Sequence, residues 1–527
     1  MTGVEGTARL IRLVLRRDRV RLPIWVVALL GLTWFSADAM GSTFPTQRSM
    51  DAYATSAVSS PAVIAMSGPP IALDTLAGIV LNKVALTSII GAALVAVLTV
   101  VRHTRAEEEE GRSEMLRATV VGRYAGGAAA LSVATLVSVL IGAGMAIALS
   151  SARVPTGSAW LFGASVAAIG TVFAAIALVV AQVFTHARTA LGVSVAVLGA
   201  AYVVRAVGDV RENFLVWLSP IGWSQATHPL GNERWWPLLV SVAATAVLVL
   251  AAVWLADRRD VGAGIVTPRN GAAAASRLLS GPVGLAFRLQ RGALLGWAGA
   301  VFLLGIAVGS LSQTVSDMAK NNPVLADYLA AAGSGSLSDT FFASMLLILA
   351  LLAAAFAVSS AMRLRAEETS GRLESLLATG LSRGRWLLGS LVATLGGTLL
   401  LLAVAGLGLG LTYGAVIHDS TQPLRMAGLT LVYAPAALVP AAVAVLLVGW
   451  LPRASAIAWA ALAYCFVLGW LGGLIRPPRW AEVVSPFWHT PDVPAGPVTL
   501  VAPVVIALVA VALVVVGLVG FRRRDVG

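Results

Sequence analysis

Lysine and cysteine are nearly missing from this chain. Its 527 residues hold two lysines, Lys83 and Lys320, and one cysteine, Cys465. A lone cysteine in an apolar run excludes disulfides and thiolate metal sites. Charged residues are 12% of the total, about half of what a soluble domain carries. So little charge excludes both disorder and a coiled coil. Against it stand 58% hydrophobic residues and a mean hydropathy of +0.86, more apolar side chain than a water-soluble fold can hide. The composition places the chain in a bilayer.

Chemical motifs are missing as well. A phosphate-binding loop requires Gly-x-x-x-x-Gly-Lys-Ser/Thr. Lys83 follows Asn82 and Lys320 follows Ala319, so the chain binds no ATP in that way. His-Glu-x-x-His is absent, and His103, His186, His228, His418 and His489 are scattered, so no metal site is expected. Gly380-Leu381-Ser382-Arg383-Gly384 fits the Gly-x-Ser-x-Gly nucleophile pattern, but it lies on a loop with no strand before it. No catalytic residue is expected, and the chain by itself is read as no enzyme.

What the sequence does have is long apolar runs. About 20 apolar residues cross a hydrocarbon core. Twelve such runs lie near 22–40, 78–101, 124–150, 158–184, 190–206, 237–255, 294–312, 341–362, 386–414, 426–450, 456–475 and 498–520. The net charge of +12 is almost all arginine, and it gathers in alternate short loops. Arginines cluster before the first run, after the second, between the sixth and seventh, after the eighth and after the twelfth. The positive-inside rule then puts both termini in the cytoplasm, in a multi-pass protein of the cell membrane. The basic balance is topology, and no nucleic-acid partner is expected. No cleavable signal peptide is evident, because no small-residue cleavage site follows the first run.

The chain also repeats. Residues 105–123 read RAEEEEGRSEMLRATVVGR and residues 365–383 read RAEETSGRLESLLATGLSR, with 11 of 19 positions identical at an offset of 260. RRDVG stands at 258–262 and again at 523–527, and Ser-Pro at 219–220 and 485–486. Arg16, Arg19 and Trp25 match Arg288, Arg291 and Trp297 at an offset of 272. This predicts an all-α membrane protein of two tandem six-helix units, 1–265 and 266–527, of equal orientation. A pseudo-twofold along the membrane normal and a central interface follow. Repeated order in a polar segment points to a surface read by a partner through Arg–carboxylate pairs. The residues concerned are Arg105, Glu107, Glu108, Gly111, Arg112 and Glu114, and their counterparts Arg365, Glu367, Glu368, Gly371, Arg372 and Glu374. Two like surfaces imply a twofold-symmetric cytoplasmic partner.

The acidic stretch and its Gly-Arg-x-Glu-x-Leu core resemble the loop between the second and third helices of six-helix ATP-binding-cassette (ABC) export permeases of the type V, or type 2, fold. In that family the segment is the coupling helix that docks on the nucleotide-binding domain. The stretches 219–239 and 256–297 are similar to actinobacterial permeases of polyketide-antibiotic exporters, the tetronasin-type group. The resemblance spans essentially the whole chain. It implies the permease subunit of an ATP-driven exporter of hydrophobic or amphipathic compounds, antibiotics and other drugs. A homodimeric ATPase on a separate polypeptide would hold the ATP and Mg. The first copy departs at Arg117 and Val120-Val121-Gly122, where the second has Leu377 and Gly380-Leu381-Ser382, which leaves the equivalence of the two docking sites open.

The same resemblance implies an amphipathic helix at the start of each half. One lies at about 8–20, where Arg9, Arg12, Arg16 and Arg19 recur opposite Leu10, Leu13 and Val14, the other at about 276–292. It implies short outer helices within 207–236 and 476–497. It also implies a cavity lined by the second and fifth helices of each half, which selects Asn82, Lys83, Tyr202, Arg205, Tyr464 and Trp470 as path candidates. Gly305-x-x-x-Gly309 and Gly406-x-x-x-Gly410-x-x-x-Gly414 are helix-packing patterns. A rival ion-coupled secondary transporter needs carboxylates in mid-span, and the sequence offers essentially none. An ABC-type sensor permease that signals without exporting stays open.

Overall fold

A computed structural model describes residues 3–58, 61–152, 154–260, 262–266, 281–312, 337–475 and 478–524, with 274, 276 and 279 besides. The chain divides into two compact units, Met1–Gly271 and Ala272–Gly527. Helices and turns build both, and no strand forms among the described residues. The first unit runs α1 (Thr7–Arg17), α2 (Arg21–Thr43), α3 (Gln47–Val58), α4 (Pro61–Ser67), α5 (Leu76–Glu109) and α6 (Arg112–Arg117). It continues with α7 (Ala125–Ser151), α8 (Thr156–Val183), α9 (Ala187–Arg211), α10 (Pro220–Gln225) and α11 (Pro237–Asp257). The second runs α12 (Pro282–Ser310), α13 (Leu337–Thr369), α14 (Arg372–Leu377), α15 (Arg383–Ile417) and α16 (Gln422–Trp450). It closes with α17 (Ile457–Ile475), α18 (Arg479–Val484) and α19 (Val501–Arg523).

Eleven of the described helices are long and apolar enough to cross a membrane, where the sequence predicts twelve. The run expected at 456–475 forms α17 but is not among the eleven. In the first unit α5 and α8 form the core, with Ile79, Ile89, Phe162, Ile169 and Phe173 buried. α11 lies outside and leaves Leu239, Val242, Val247 and Leu250 at 63–69% exposure. A contiguous apolar face of that kind suits hydrocarbon, not water.

Glycine sets the closest helix contacts. A Cβ on Gly142 of α7 or on Gly163 of α8 would lie 2.2 or 2.3 Å from the other's carbonyl oxygen. In the second unit Gly305 approaches the Ala405 carbonyl of α15, while Gly406, Gly410 and Gly414 lean on the carbonyls of Met426, Gln422 and Asp419. The small-residue patterns at 305–309 and 406–414 are therefore backbone contacts between helices.

α1 is amphipathic: Leu10 and Val14 are buried, and Arg9, Arg12 and Arg16 point outward. The second unit departs from the expectation of a separate amphipathic helix at 276–292. α12 is one continuous helix from Pro282 to Ser310, and much of 276–281 lies outside the described residues. The offset that matches Arg16 with Arg288 sets Asp18 against Gln290. Asp18 ends α1, is bonded by His103 Nε2 at 2.6 Å, and is followed by Pro23 in the first turn of α2. Gln290 is a good helix former and accepts from Ser360 Oγ at 2.6 Å without leaving the helix.

Candidate functional site

The first repeated segment begins where α5 outlasts its apolar run. After Val101 the backbone widens into a π-helical turn, Arg102–Ala106, and then carries Glu107–Glu109. Such turns are rare and concentrate at functional positions. Arg105 is 1% exposed, and every nitrogen of its guanidinium is used. Nε donates to Thr185 O at 2.6 Å, Nη2 to Gly262 O at 2.9 Å, and Nη1 to Ala263 O at 3.1 Å and Glu108 Oε2 at 2.5 Å. Arg259 reaches the same carboxylate, with Nη2 on Oε1 at 2.7 Å and Nη1 on Oε2 at 2.8 Å, while its Nε donates to Gln182 Oε1 at 2.7 Å. Glu108 thus sits between two guanidiniums. One clamp joins the end of α5 to the end of α8 and to the loop after α11.

Glu107 is held separately, by Arg17 Nη1 at 2.6 Å and Arg112 Nε at 2.8 Å. The bond to Glu107 also pushes the Arg112 guanidinium up. Glu109 accepts from the Ala187 amide at 3.0 Å. Gly111, at φ +72, makes the left-handed turn into α6, and Gly371, at φ +70, makes the same turn into α14. Behind α6, Tyr124 donates its hydroxyl to Asp257, and that hydrogen bond pushes the phenol up.

The second segment has the clamp in shorter form. Glu368, 7% exposed, accepts from Arg524 Nη2 at 2.6 Å and lies 3.1 Å from Arg365 Nη1. Arg383 Nη1 donates to the carbonyl of Arg524 at 2.7 Å. The partner of Glu107 is not repeated: the offset of 272 places Leu289 where Arg17 stands, and Arg372 is exposed. Of the residues expected to meet a partner, Arg105, Glu107, Glu108 and Glu368 turn inward. Glu114 stays on the surface of the first unit, near Met115 and Val120 at 68% and 69% exposure, and Arg372 and Glu374 stay on the surface of the second. The repeated Arg-Ala-Glu-Glu order has an internal reason, the clamp.

The path candidates are tied into the fold. Asn82 Oδ1 accepts from the Tyr53 hydroxyl at 3.2 Å, and Lys83 Nζ lies 4.8 Å from the centre of the Tyr53 ring. Arg205 is fully buried, paired with Asp209 at 3.0 Å, bonded to Ala65 O at 2.8 Å and stacked over Tyr202. Tyr464 donates to Ala481 O at 2.6 Å and so pins α17 to α18. Trp470 lies on α17, and its side chain lies outside the described residues. The stretch 207–236 forms a 3₁₀ turn, Phe214–Leu218, and α10, with Trp217 stacked on Trp236. In 476–497, where 476–477 lie outside the described residues, α18 is followed by a turn at Pro486–His489. Among the described residues no group of three His, Cys, Asp or Glu is placed to hold a metal ion.

Sequence reasoning did not find Arg17, Asp18, His103, Gln182 or Asp209 as contact partners. Arg259 and Arg524 carried a signal, the repeated RRD, without an assigned role.

Residues 9–255 and 279–522 match the family described as "Multidrug efflux system permease Rv1217c, C-terminal domain". Over its whole length the chain is 39% identical to the "Multidrug efflux system permease protein Rv1217c" of Mycobacterium tuberculosis (strain ATCC 25618 / H37Rv), covering 96% of that protein.

Proposed function

The chain belongs to the multidrug efflux system permease family, and on that premise we propose that it is the membrane subunit of an ATP-driven ABC exporter. It is a multi-pass membrane protein and an efflux permease. In this reading the two units are six-span repeats, 1–265 and 266–527, with both termini and both repeated segments in the cytoplasm. α6 and α14 are coupling helices. They receive a homodimeric ATPase on a separate polypeptide, which holds the ATP and Mg and does the hydrolysis. The chain by itself catalyses nothing. The cargo is hydrophobic or amphipathic, and the polyketide-antibiotic class is supported by the resemblance of 219–239 and 256–297.

The observation that carries the reading is the clamp repeated at Glu108 and Glu368. A push on α6 reaches α5 directly, and through Arg105 and Arg259 it reaches the ends of α8 and α11. In the second unit Glu368 and Arg524 pass motion from α13 to the end of α19. A rigid lever at each repeat is what a permease needs if its work arrives from outside. The test is co-purification with an ABC ATPase, followed by drug-stimulated ATP hydrolysis and export in lipid vesicles. Export by the chain alone, without ATP, overturns the proposal.

A further inference from the structure

In the first unit α1, α7, α8 and α11 enclose a cavity of about 380 Å³ at the arginine-rich end. Small-molecule sites begin at about this size. Leu10, Leu13, Val14, Leu131, Leu178 and Val253 form much of its wall, and Arg17 and Arg123 stand among its polar residues. Val4 and Leu13, both in the wall, are 51% and 40% exposed. The Ser113 hydroxyl, also in the wall, is buried with no hydrogen-bond partner among the described residues. The wall thus combines apolar side chains with a few charged and hydroxyl groups, the make-up of a site for an amphipathic molecule.

The second unit is filled at the same place. The offset of 260 sets Trp386 and Leu387 against Gly126 and Gly127, and the RRDVG offset of 265 sets Phe521 against Ala256. Trp386 is 4% exposed and stacks on Phe521 at a centroid distance of 5.7 Å. A cavity of about 20 Å³ remains beside it. The space in the first unit is therefore made by small residues. A Cβ on Gly126 would meet nothing within 4 Å, and one on Gly127 would meet the flexible end of Leu178 at 3.3 Å.

We propose that this cavity is a lipid site, taking one acyl chain of a bilayer phospholipid with its phosphate beside Arg17 and Arg123. α1 is a short helix with an arginine face and an apolar face, the form that lies at the level of lipid headgroups. In the proposed orientation the cavity beside α1 lies at the headgroup level. Arg259 is committed to Glu108 and Gln182, but Arg17 and Arg123 keep 33% and 47% of their side chains exposed and can each add a phosphate contact. Thr104, Glu107 and Glu108 are in the same wall, so an occupying chain braces the segment that carries α6. The inference rests on the proposed orientation of the arginine-rich end and on nothing in the ATPase reading.

The test uses the full chain in vesicles containing a phosphatidylglycerol with a photoreactive diazirine in one acyl chain. Labelled peptides are mapped in wild type, in Gly126→Trp/Gly127→Leu and in Ala256→Phe, with thermal unfolding as the check on folding. The expected result is labelling around Leu13, Leu131 and Val253 that falls at least tenfold in a folded variant, while labelling at lipid-facing Leu250 is unchanged. Equal labelling in wild type and both variants overturns the site. So does labelling of Leu391, which stands at the offset of 260 from Leu131 and is partly buried, at the level of Leu131 itself. Displacement of the label by a free photoreactive hydrophobic cation that marks the same peptides overturns the lipid as occupant. Drug-stimulated ATP hydrolysis, read in parallel, stands or falls separately.

Discussion

Arg259 and Glu108 are 151 residues apart and meet in a two-pronged pair, Nη2 on Oε1 at 2.7 Å and Nη1 on Oε2 at 2.8 Å. The planar fork of a guanidinium matches both oxygens of a carboxylate, which lysine cannot do. Arg524 meets Glu368 across 156 residues from the same place in the second RRDVG. The end of each unit's last helix is thereby fastened to the segment that leads into α6 or α14.

Removing one fork tests that fastening. Arg259→Ala leaves Glu108 paired with Arg105 alone and its Oε1 without that donor, a loss of roughly 1–3 kcal/mol. The unfolding midpoint in detergent should fall clearly, and Arg259→Lys should recover only part. A midpoint equal to wild type would remove the clamp from the argument.

The surface residues should behave in the opposite way. Glu114 and Glu374 are exposed, so Glu114→Lys with Glu374→Lys should change stability by no more than about 0.5 kcal/mol. The same pair of changes should abolish capture of the ATPase in pull-down and drug export with it. Intact capture and export would move the docking surface elsewhere.

The spans were legible because apolar length is a local signal, and the arginine face of α1 was legible for the same reason. Pairing was not. RAEE and RRD each repeat visibly, but nothing local says that Arg259 folds back on Glu108. Arg205 and Tyr464 are path candidates through their place on the fifth helix of each half, which the resemblance supplies, while their bonds to Ala65 O and Ala481 O are visible only in the structure. In the second unit the arginine spacing at 288 and 291 copies that at 16 and 19, but Gln290 stands where Asp18 ends α1, and α12 runs on through it. The cavity of the first unit was written in Gly126 and Gly127 against Trp386 and Leu387, just past the aligned segment, where residue size matters and motif matching sees nothing.

The Arg205–Asp209 pair separates two kinds of transporter. Both side chains are essentially buried, and Arg205 also holds the carbonyl of Ala65. Arg205→Ala should cost about 3–5 kcal/mol by stranding Asp209, and Arg205→Ala/Asp209→Ala should recover part of it in a double-mutant cycle. Asp209→Asn keeps the volume and an acceptor for Arg205. It should retain ATP-dependent export, measured as drug uptake into inverted vesicles. Loss of export in a folded Asp209→Asn protein would instead favour coupling to an ion through that carboxylate.

Two glycines in the second unit make the last comparison. A Cβ on Gly406 would lie 2.5 Å from the Met426 carbonyl and 2.7 Å from the Ala427 Cα, so α15 and α16 must separate to admit it. Gly406→Ala should therefore cost about 1–3 kcal/mol as overpacking. A Cβ on Gly428, within α16, would meet nothing within 4 Å. Gly428→Ala should leave stability unchanged or raise it by about 0.5–1 kcal/mol, because it removes backbone freedom from the unfolded chain without a clash. The two variants, unfolded side by side in the same detergent, differ by one methyl group each. Opposite signs locate the constraint in the helix contact, and equal losses would show that α15 and α16 do not pack as closely as these carbonyl distances require.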